Sequence, residues 1–456
     1  MSRKGVYILS ATLIAICSTT SAQIELTLEK CRAMALDYSR NIKIAENREE
    51  QALIQNKIAR AAQLPTLKGS GIYYYSPNDI EYSATADITP PIETGIPQQD
   101  ELAQIISAMI PDFDIAIETR GVMLGGVNVE QPVYTGGKIR ASKRMTQTGI
   151  DIAQTSKELS RTEVITEADE AFYKFESMKA KVEAAKEYKK VVDELIITIE
   201  AAKKEGMVTR TDLLKTRVKQ NEASLMIQKA KSGRELSRMN LCRIIGEPFT
   251  TEITIVQTQE NLSNLHQALP NNNNSVEKRP EYKLLEKSLK IQDHKIEIAR
   301  AGMLPQIGIS AGYNYFGGLK INDQSNDEMI FSAMASISIP IFNWFEQRNS
   351  LTRAELEKKE RELNKEESVK LLQLEIAQAQ FNYKDALTRK ELTEAALEEA
   401  KENMKTSQQR YDEGLERLEN LLEAQAQWQE AISNNIEAKN SVKTAHTKYL
   451  KATGQL

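Results

Sequence analysis

The sequence predicts a mainly α-helical chain with a small share of membrane-crossing β-structure, built twice over as helix, strand pair, long helix and return helix. Three observations predict it. First, an apolar seam repeats at alternating steps of four and three through Leu372, Ile376, Ala379, Tyr383 and Ala386 and on to Leu397, Ala400, Met404, Ser407 and Tyr411, which is the coiled-coil period of 3.5. Second, moving that frame back by 208 positions gives another seam, Val164, Ala168, Ala171, Phe175, Met178, Val182, Ala185, Val192, Ile196 and Ile199. The same shift carries Gly414 onto Gly206, Leu421 and Leu422 onto Leu213 and Leu214, and Pro340 onto Pro132, the mark of an internal duplication. Third, between helices the period drops from 3.5 to 2, as in half-exposed strands.

Composition agrees. Charged residues make up 27% and aromatics 6% of the 456 residues, a long-helix mixture. A formal net charge of -4 with no basic block argues against nucleic-acid binding. His266, His294 and His446 are scattered, and Gly136 with Gly137 and Gly317 with Gly318 read as turns rather than phosphate loops. No catalytic residue, metal site or cofactor is expected, and the chain does not read as an enzyme.

In order, residues 1–22 read as a signal peptide: Arg3 and Lys4 precede an apolar stretch too short to cross a bilayer, and Thr20, Ser21 and Ala22 precede Gln23. Ile16 before Cys17 does not suit a lipidation signal. The first repeat is expected over 23–245, a connector over 246–275 and the second repeat over 276–456. Thr27 caps the first helix, with Leu26 packing from outside. That helix runs to about Gln63 and stops before Pro65, as the helix over 276–303 stops before Pro305. The shared ending Arg-Ala-x-x-Leu-Pro is 240 positions apart rather than 208, so the first repeat carries the surplus, in the loop 76–121.

Strands are expected at about 66–75 and 122–131, and again at 306–316 and 329–339. In the second pair Ile307, Ile309, Ala311, Tyr313 and Tyr315 alternate with Gly308, Ser310, Gly312 and Asn314, and Phe331, Ala333, Ala335 and Ile337 alternate with Ser332, Met334 and Ser336. Strands of this length cross a bilayer when tilted, and aromatics gather at their ends: Tyr73, Tyr74, Tyr75, Tyr134, Phe342, Trp344 and Phe345. A small water-soluble sheet is the alternative. Four strands cannot close a barrel in lipid, whereas three chains would supply twelve. Each second strand leads into a long helix, about 133–204 and 341–411, on the order of 105 Å at 1.5 Å per residue. Return helices follow over 211–245 and 418–450. The layout sets Cys31 and Cys242 at a similar height, which leaves open either a disulfide or two separate buried thiols.

This order of elements resembles the outer-membrane efflux proteins of the TolC family. Local matches are Leu26-Thr27-Leu28 with Asn41, Gly206 followed by Thr211-Asp212-Leu213-Leu214, and Arg410-Tyr411-x-x-Gly414 followed by Leu421-Leu422-x-Ala424-Gln425. The resemblance implies a homotrimer in the outer membrane: a twelve-stranded β-barrel in the lipid, continued by a twelve-helix α-barrel tunnel through the periplasm. It implies that a periplasmic adaptor protein docks on the turns at Gly206 and Gly414, and that an inner-membrane RND or ABC pump feeds the tunnel. In the family's gate a tyrosine of the second turn bonds to an aspartate of the first; Tyr411 and Asp212 stand at those positions. The family's arginine is replaced by Glu416, with Arg417 adjacent, and its two acidic positions hold Asn420 and Glu423. The function implied is the exit duct of a tripartite efflux or type I secretion system. A secreted coiled-coil stalk or adhesin is the alternative, which leaves the two strand pairs without a purpose.

Overall fold

The computed structural model describes residues 23–75, 117–118, 121–256, 275–318, 320–321, 324–325 and 327–456. The expected signal peptide, most of the loop 76–121 and much of the connector lie outside the described residues. The first half holds β1 (Gln23–Leu26), α1 (Leu28–Tyr38), α2 (Arg40–Ala61), β2 (Thr66–Tyr74), β3 (Ile117–Glu118), β4 (Val122–Thr135), α3 (Lys138–Lys204) and α4 (Arg210–Ile245). The second holds β5 (Glu252–Ile255), α5 (Ser275–Lys278), α6 (Pro280–Ala301), β6 (Gln306–Gly317), β7 (Lys320–Ile321), β8 (Gln324–Ser325), β9 (Glu328–Ser338), α7 (Glu346–Asp412) and α8 (Leu418–Ala452). The duplication is visible in the helices. Both α3 and α7 have 67 residues and begin 208 positions apart, and both α2 and α6 have 22 and begin 240 apart. Among the described residues no helix is long and apolar enough to cross a membrane.

The chain forms two compact units. Among the described residues, one comprises those within 51–150 and 288–362 and is built on a four-stranded antiparallel sheet in the order β2-β4-β6-β9. The central ladder, β4 with β6, joins the two repeats. Its strands approach so closely that a Cβ on Gly312 would meet the Val127 carbonyl oxygen at 2.3 Å. A polar row crosses one face: the Asn128 amide donates to Asn314 Oδ1 at 3.0 Å and Asn314 donates to Ser332 Oγ at 3.1 Å. The cross-strand partners Tyr313 and Phe331 bring their rings to 5.2 Å. The outer strands β2 and β9 are exposed along their whole length.

Two boundaries differ from expectation. The strand expected to end near 131 continues to Thr135, and α3 starts five residues later than expected, at Lys138. Pro132 sits at a register shift, a place where a strand tolerates a residue without an N–H. In the second repeat α7 starts at Glu346 instead of near 341, because Trp344 and Phe345 have positive φ, which no right-handed helix admits.

The other unit comprises 23–50, 151–287 and 363–456 among the described residues. Its N-terminal stretch is a strand: β1 pairs in parallel with β5. Thr27 caps α1 as expected, its Oγ1 accepting from the Lys30 N–H at 3.3 Å. The first helix breaks at Ser39, whose hydroxyl oxygen accepts from the Ile42 N–H and starts α2. The core below is apolar: Leu26, Ala35, Ala168, Phe172, Leu241 and Ile253 are all buried together. Inside it lies one ion pair. Asp169 is fully buried and receives Arg32 Nε and Nη2 at 2.7 and 2.6 Å, and the Thr447 hydroxyl at 2.9 Å. It thereby ties α1 and α8 to α3.

The cysteines do not pair. Both are free, buried thiols in this one core, and each Sγ faces a different carbonyl, Ala168 for Cys31 and Thr251 for Cys242, each at 3.9 Å. A similar height was not sufficient, because a disulfide also needs the two Cβ vectors to converge. Burial, then the neighbouring Asp169, pushes the Cys31 thiol up to about 12, which leaves it unreactive.

Candidate gate at the helix turns

Each long helix ends the same way at the backbone. Gly206 has φ 74° and Gly414 has φ 72°, the left-handed conformation that favours glycine. At the first turn the Gly206 N–H donates to Lys203 O at 3.0 Å and the Met207 N–H to Ala202 O at 2.9 Å. At the second, the Gly414 N–H donates to Tyr411 O at 3.0 Å and the Leu415 N–H to Arg410 O at 2.8 Å. The residue after each glycine, Met207 and Leu415, is left exposed.

The return helices start differently. α4 begins with a full capping box: the Asp212 N–H donates to Thr209 Oγ1 at 3.2 Å, and the Thr209 N–H and hydroxyl donate to Asp212 Oδ2 at 3.0 and 2.7 Å. α8 begins at Leu418, and Arg417 before it gives no side-chain cap. Asp212 is therefore engaged within its own helix start. The Thr209 hydroxyl, then the Thr209 N–H, holds its carboxyl below the usual range. Asp212→Ala is expected to remove about 1 kcal/mol of local stability, seen as faster amide exchange at Thr209 and Asp212; unchanged exchange would contradict the box.

Tyr411 sits beside Asp212 without bonding to it among the described residues. Its ring packs half-buried on a cluster of Leu195, Ile199, Leu213, Leu418, Leu421 and Leu422. Burial, then the charges of Asp212 and Asp412, raises its phenol. Of the other expected residues, Glu416 approaches Arg410 Nε at 3.8 Å, Glu423 accepts from the Gln427 amide at 3.4 Å, and Asn420 and Arg417 are exposed. The structure thus brings Tyr411 and Asp212 together and leaves Glu416 within its own hairpin.

Near the turns, one bond between the two hairpins is a contact the sequence reading missed. Lys215 Nζ on α4 meets Glu419 Oε1 on α8 at 2.5 Å. The bond to Glu419 raises the Lys215 ammonium, and the bond to Lys215 lowers the Glu419 carboxyl. Opposite charges near the starts of two return helices were the available signal, lost among many surface charges. Along the helices beyond the apolar cluster the buried groups turn polar. Gln425 and Ser407 are buried, and neither amide atom of the first nor the hydroxyl of the second has a partner among the described residues. Among the described residues no group of three or more His, Cys, Asp or Glu could hold a metal ion.

The outer membrane efflux protein family matches residues 32–247 and again 254–455. Outer membrane protein TolC of Escherichia coli K12 is 28% identical over 160 residues, 35% of this chain and 32% of that protein, so the match spans about a third of its length. Among solved structures, CusC superposes with a TM-score of 0.77 at 15% identity, covering 94% of this chain and 92% of that one. The Campylobacter jejuni CmeC outer membrane channel gives 0.73 at 19% identity, covering 100% and 93%. Duplicated helices, an open-edged sheet and matches over nearly the whole chain lead to one conclusion: this chain belongs to the outer membrane efflux protein family, a class of outer-membrane channels rather than enzymes.

Proposed function

We propose that three copies of this chain form the exit duct of a tripartite efflux or type I secretion system, gated at the helix turns. The observation that carries the reading is the sheet: its inner strands are paired while β2 and β9 are exposed end to end. Lipid does not tolerate an open edge, so further copies must supply the missing partners, and three give a closed twelve-stranded wall. A stalk or adhesin gives that sheet no purpose. Exposed apolar stripes support the same assembly in the helical part. Leu363, Leu374, Phe381 and Leu392 line α7 on the side away from buried Tyr383 and Ala386, and Leu214, Val218 and Leu225 line α4. Such stripes fit neighbouring helices of a twelve-helix tunnel. The exposed Met207 and Leu415 beside Gly206 and Gly414 offer a periplasmic adaptor two apolar knobs per chain, and an RND or ABC pump would deliver substrate behind it.

The closed gate in this reading is held by the apolar cluster around Tyr411 and by the Lys215–Glu419 pair. The unpartnered Gln425 and Ser407 gain water when the hairpins part, which lowers the cost of opening. Lys215→Glu places two carboxylates together and should raise single-channel conductance in planar bilayers several-fold. Adding Glu419→Lys restores the pair and should return the wild-type value. Unchanged conductance in the single variant would reject the gate role. Glu419 titrates below its ordinary value, so its contribution is present above that value and lost as pH falls through the lowered one. Lys215 titrates above its ordinary value, so its contribution is complete below that value and lost as pH rises through the raised one. Conductance should stay flat around neutral pH and rise only in strong acid or strong base.

A further inference from the structure

The four strands of the sheet β2-β4-β6-β9 carry three charged residues: Lys68 on β2, Glu130 on β4 and Glu328 on β9. Register puts all three on one face. Lys68 stands in a row with Asn128, Gly312 and Ser332; the next row holds Thr66, Glu130, Ser310 and Met334; Glu328 ends a further row through Phe316, Leu124 and Ile72. Along each strand these positions differ by an even number, and side chains alternate between faces with a period of two. The opposite face carries no charge and is mainly apolar, with Leu67, Val127, Val129, Tyr313, Phe331 and Ala333. On the two central strands the charged face is also the more enclosed one. Asn128, Glu130, Ser310 and Asn314 are half-buried, whereas Val127, Val129, Ile309 and Tyr313 are exposed. That division suits a barrel with its polar side inward and its apolar side against lipid. The two unlike charges meet: Lys68 Nζ donates to Glu130 Oε2 at 2.6 Å, with the side chains 60% and 47% in solvent. A pair this exposed adds little stability, so its larger effect is on the field beside it.

We propose that Lys68 and Glu130 are the residues that set the ion preference of the barrel. Repeated in three chains, they form a ring on the lumen wall whose charges cancel, so the duct does not sort solutes by sign at this level. The neighbouring Asn128, Ser310, Asn314 and Ser332 offer hydrogen bonds and no charge. The solutes that fit such a wall are polar or amphiphilic molecules of either sign, not one class of ion. Glu328, at the start of β9, has no cation near it in its row and leaves three carboxylates at that level. Removing one member of the pair turns a neutral ring into three like charges, the arrangement by which pores select ions. This inference rests on the three-chain barrel proposed above and is independent of the gate.

Ser310 is the cross-strand partner of Glu130, so Ser310→Cys sets a thiol beside the pair, while Cys31 and Cys242 are buried. The full-length Ser310→Cys protein in lipid vesicles is treated at low salt with a cationic and an anionic methanethiosulfonate reagent. The ratio of the two reaction rates reports the local potential without requiring passage through the gate. With the pair intact the ratio should lie close to that of free cysteine. Lys68→Gln should shift it several-fold toward the cationic reagent, and Glu130→Gln several-fold toward the anionic one. The double variant should return it, and salt at about 1 M should erase the differences. A thiol that neither reagent reaches would mean that this face does not line a water-filled lumen, and would overturn the proposal. Oligomeric mass tests the barrel separately. Trimers whose ratio ignores both single substitutions would overturn this inference alone, whereas a monomer would remove the barrel and the ring with it.

Discussion

Phe331→Arg is expected to abolish the assembled channel. Phe331 is the fourth of the eleven residues of β9, exposed, with its ring on Tyr313 of the neighbouring strand. A cation on the lipid face costs up to about 2–4 kcal/mol per site, falling toward the interfaces, and in the proposed three-copy barrel it is incurred three times. The lost aromatic pair adds about 1 kcal/mol each. Detergent-resistant oligomer in outer-membrane fractions should fall below detection. Phe331→Leu keeps the face apolar and should leave most of it. Ser332→Thr, on the polar row beside Asn314, should have little effect. Full assembly of the arginine variant would mean that this face does not meet lipid.

The second large effect is expected at Asp169→Ala. The carboxylate is fully buried and accepts three hydrogen bonds, two from Arg32 and one from Thr447. Breaking a buried pair by removing one partner costs about 3–5 kcal/mol. Arg32 keeps roughly a third of its side chain in solvent, so its charge stays partly hydrated when the carboxylate is lost and about 3 kcal/mol is the better expectation. Because three helices meet at this carboxylate, the loss should appear as trypsin cleavage in α1 and α8 rather than at the turns. Asp169→Asn retains an acceptor for Thr447 and should be milder. If urea midpoint and cleavage pattern match wild type, the pair does not tie these helices together.

The long helices and the duplication were legible because a 3.5 period sustained over many turns leaves no competing structure, and a shift of 208 reproduces it residue by residue. The strand pairs were legible from alternation alone. The parallel pairing of β1 with β5 was not, since it joins two four-residue strands more than 200 positions apart with no turn between them. The break at Ser39 carries neither glycine nor proline to announce it. At the candidate gate, the glycine turns that end both long helices were legible from sequence. The engagement of Asp212 by Thr209 was hidden because the same aspartate was read for its family position rather than as the end of a Thr-x-x-Asp cap signal. Lys215 with Glu419 was hidden because pairing them requires the relative height of two hairpins, which no single helix encodes.

The exposed edges of β2 and β9 also carry a genetic consequence. In the proposed three-copy barrel each edge takes the opposite edge of another copy, so a chain with one ruined edge would still enter a particle and spoil it. In cells making equal amounts of intact and edge-defective chains, random mixing into threes leaves only about one particle in eight wholly intact. An edge allele should therefore behave as dominant negative, whereas a null allele of the same gene should be recessive.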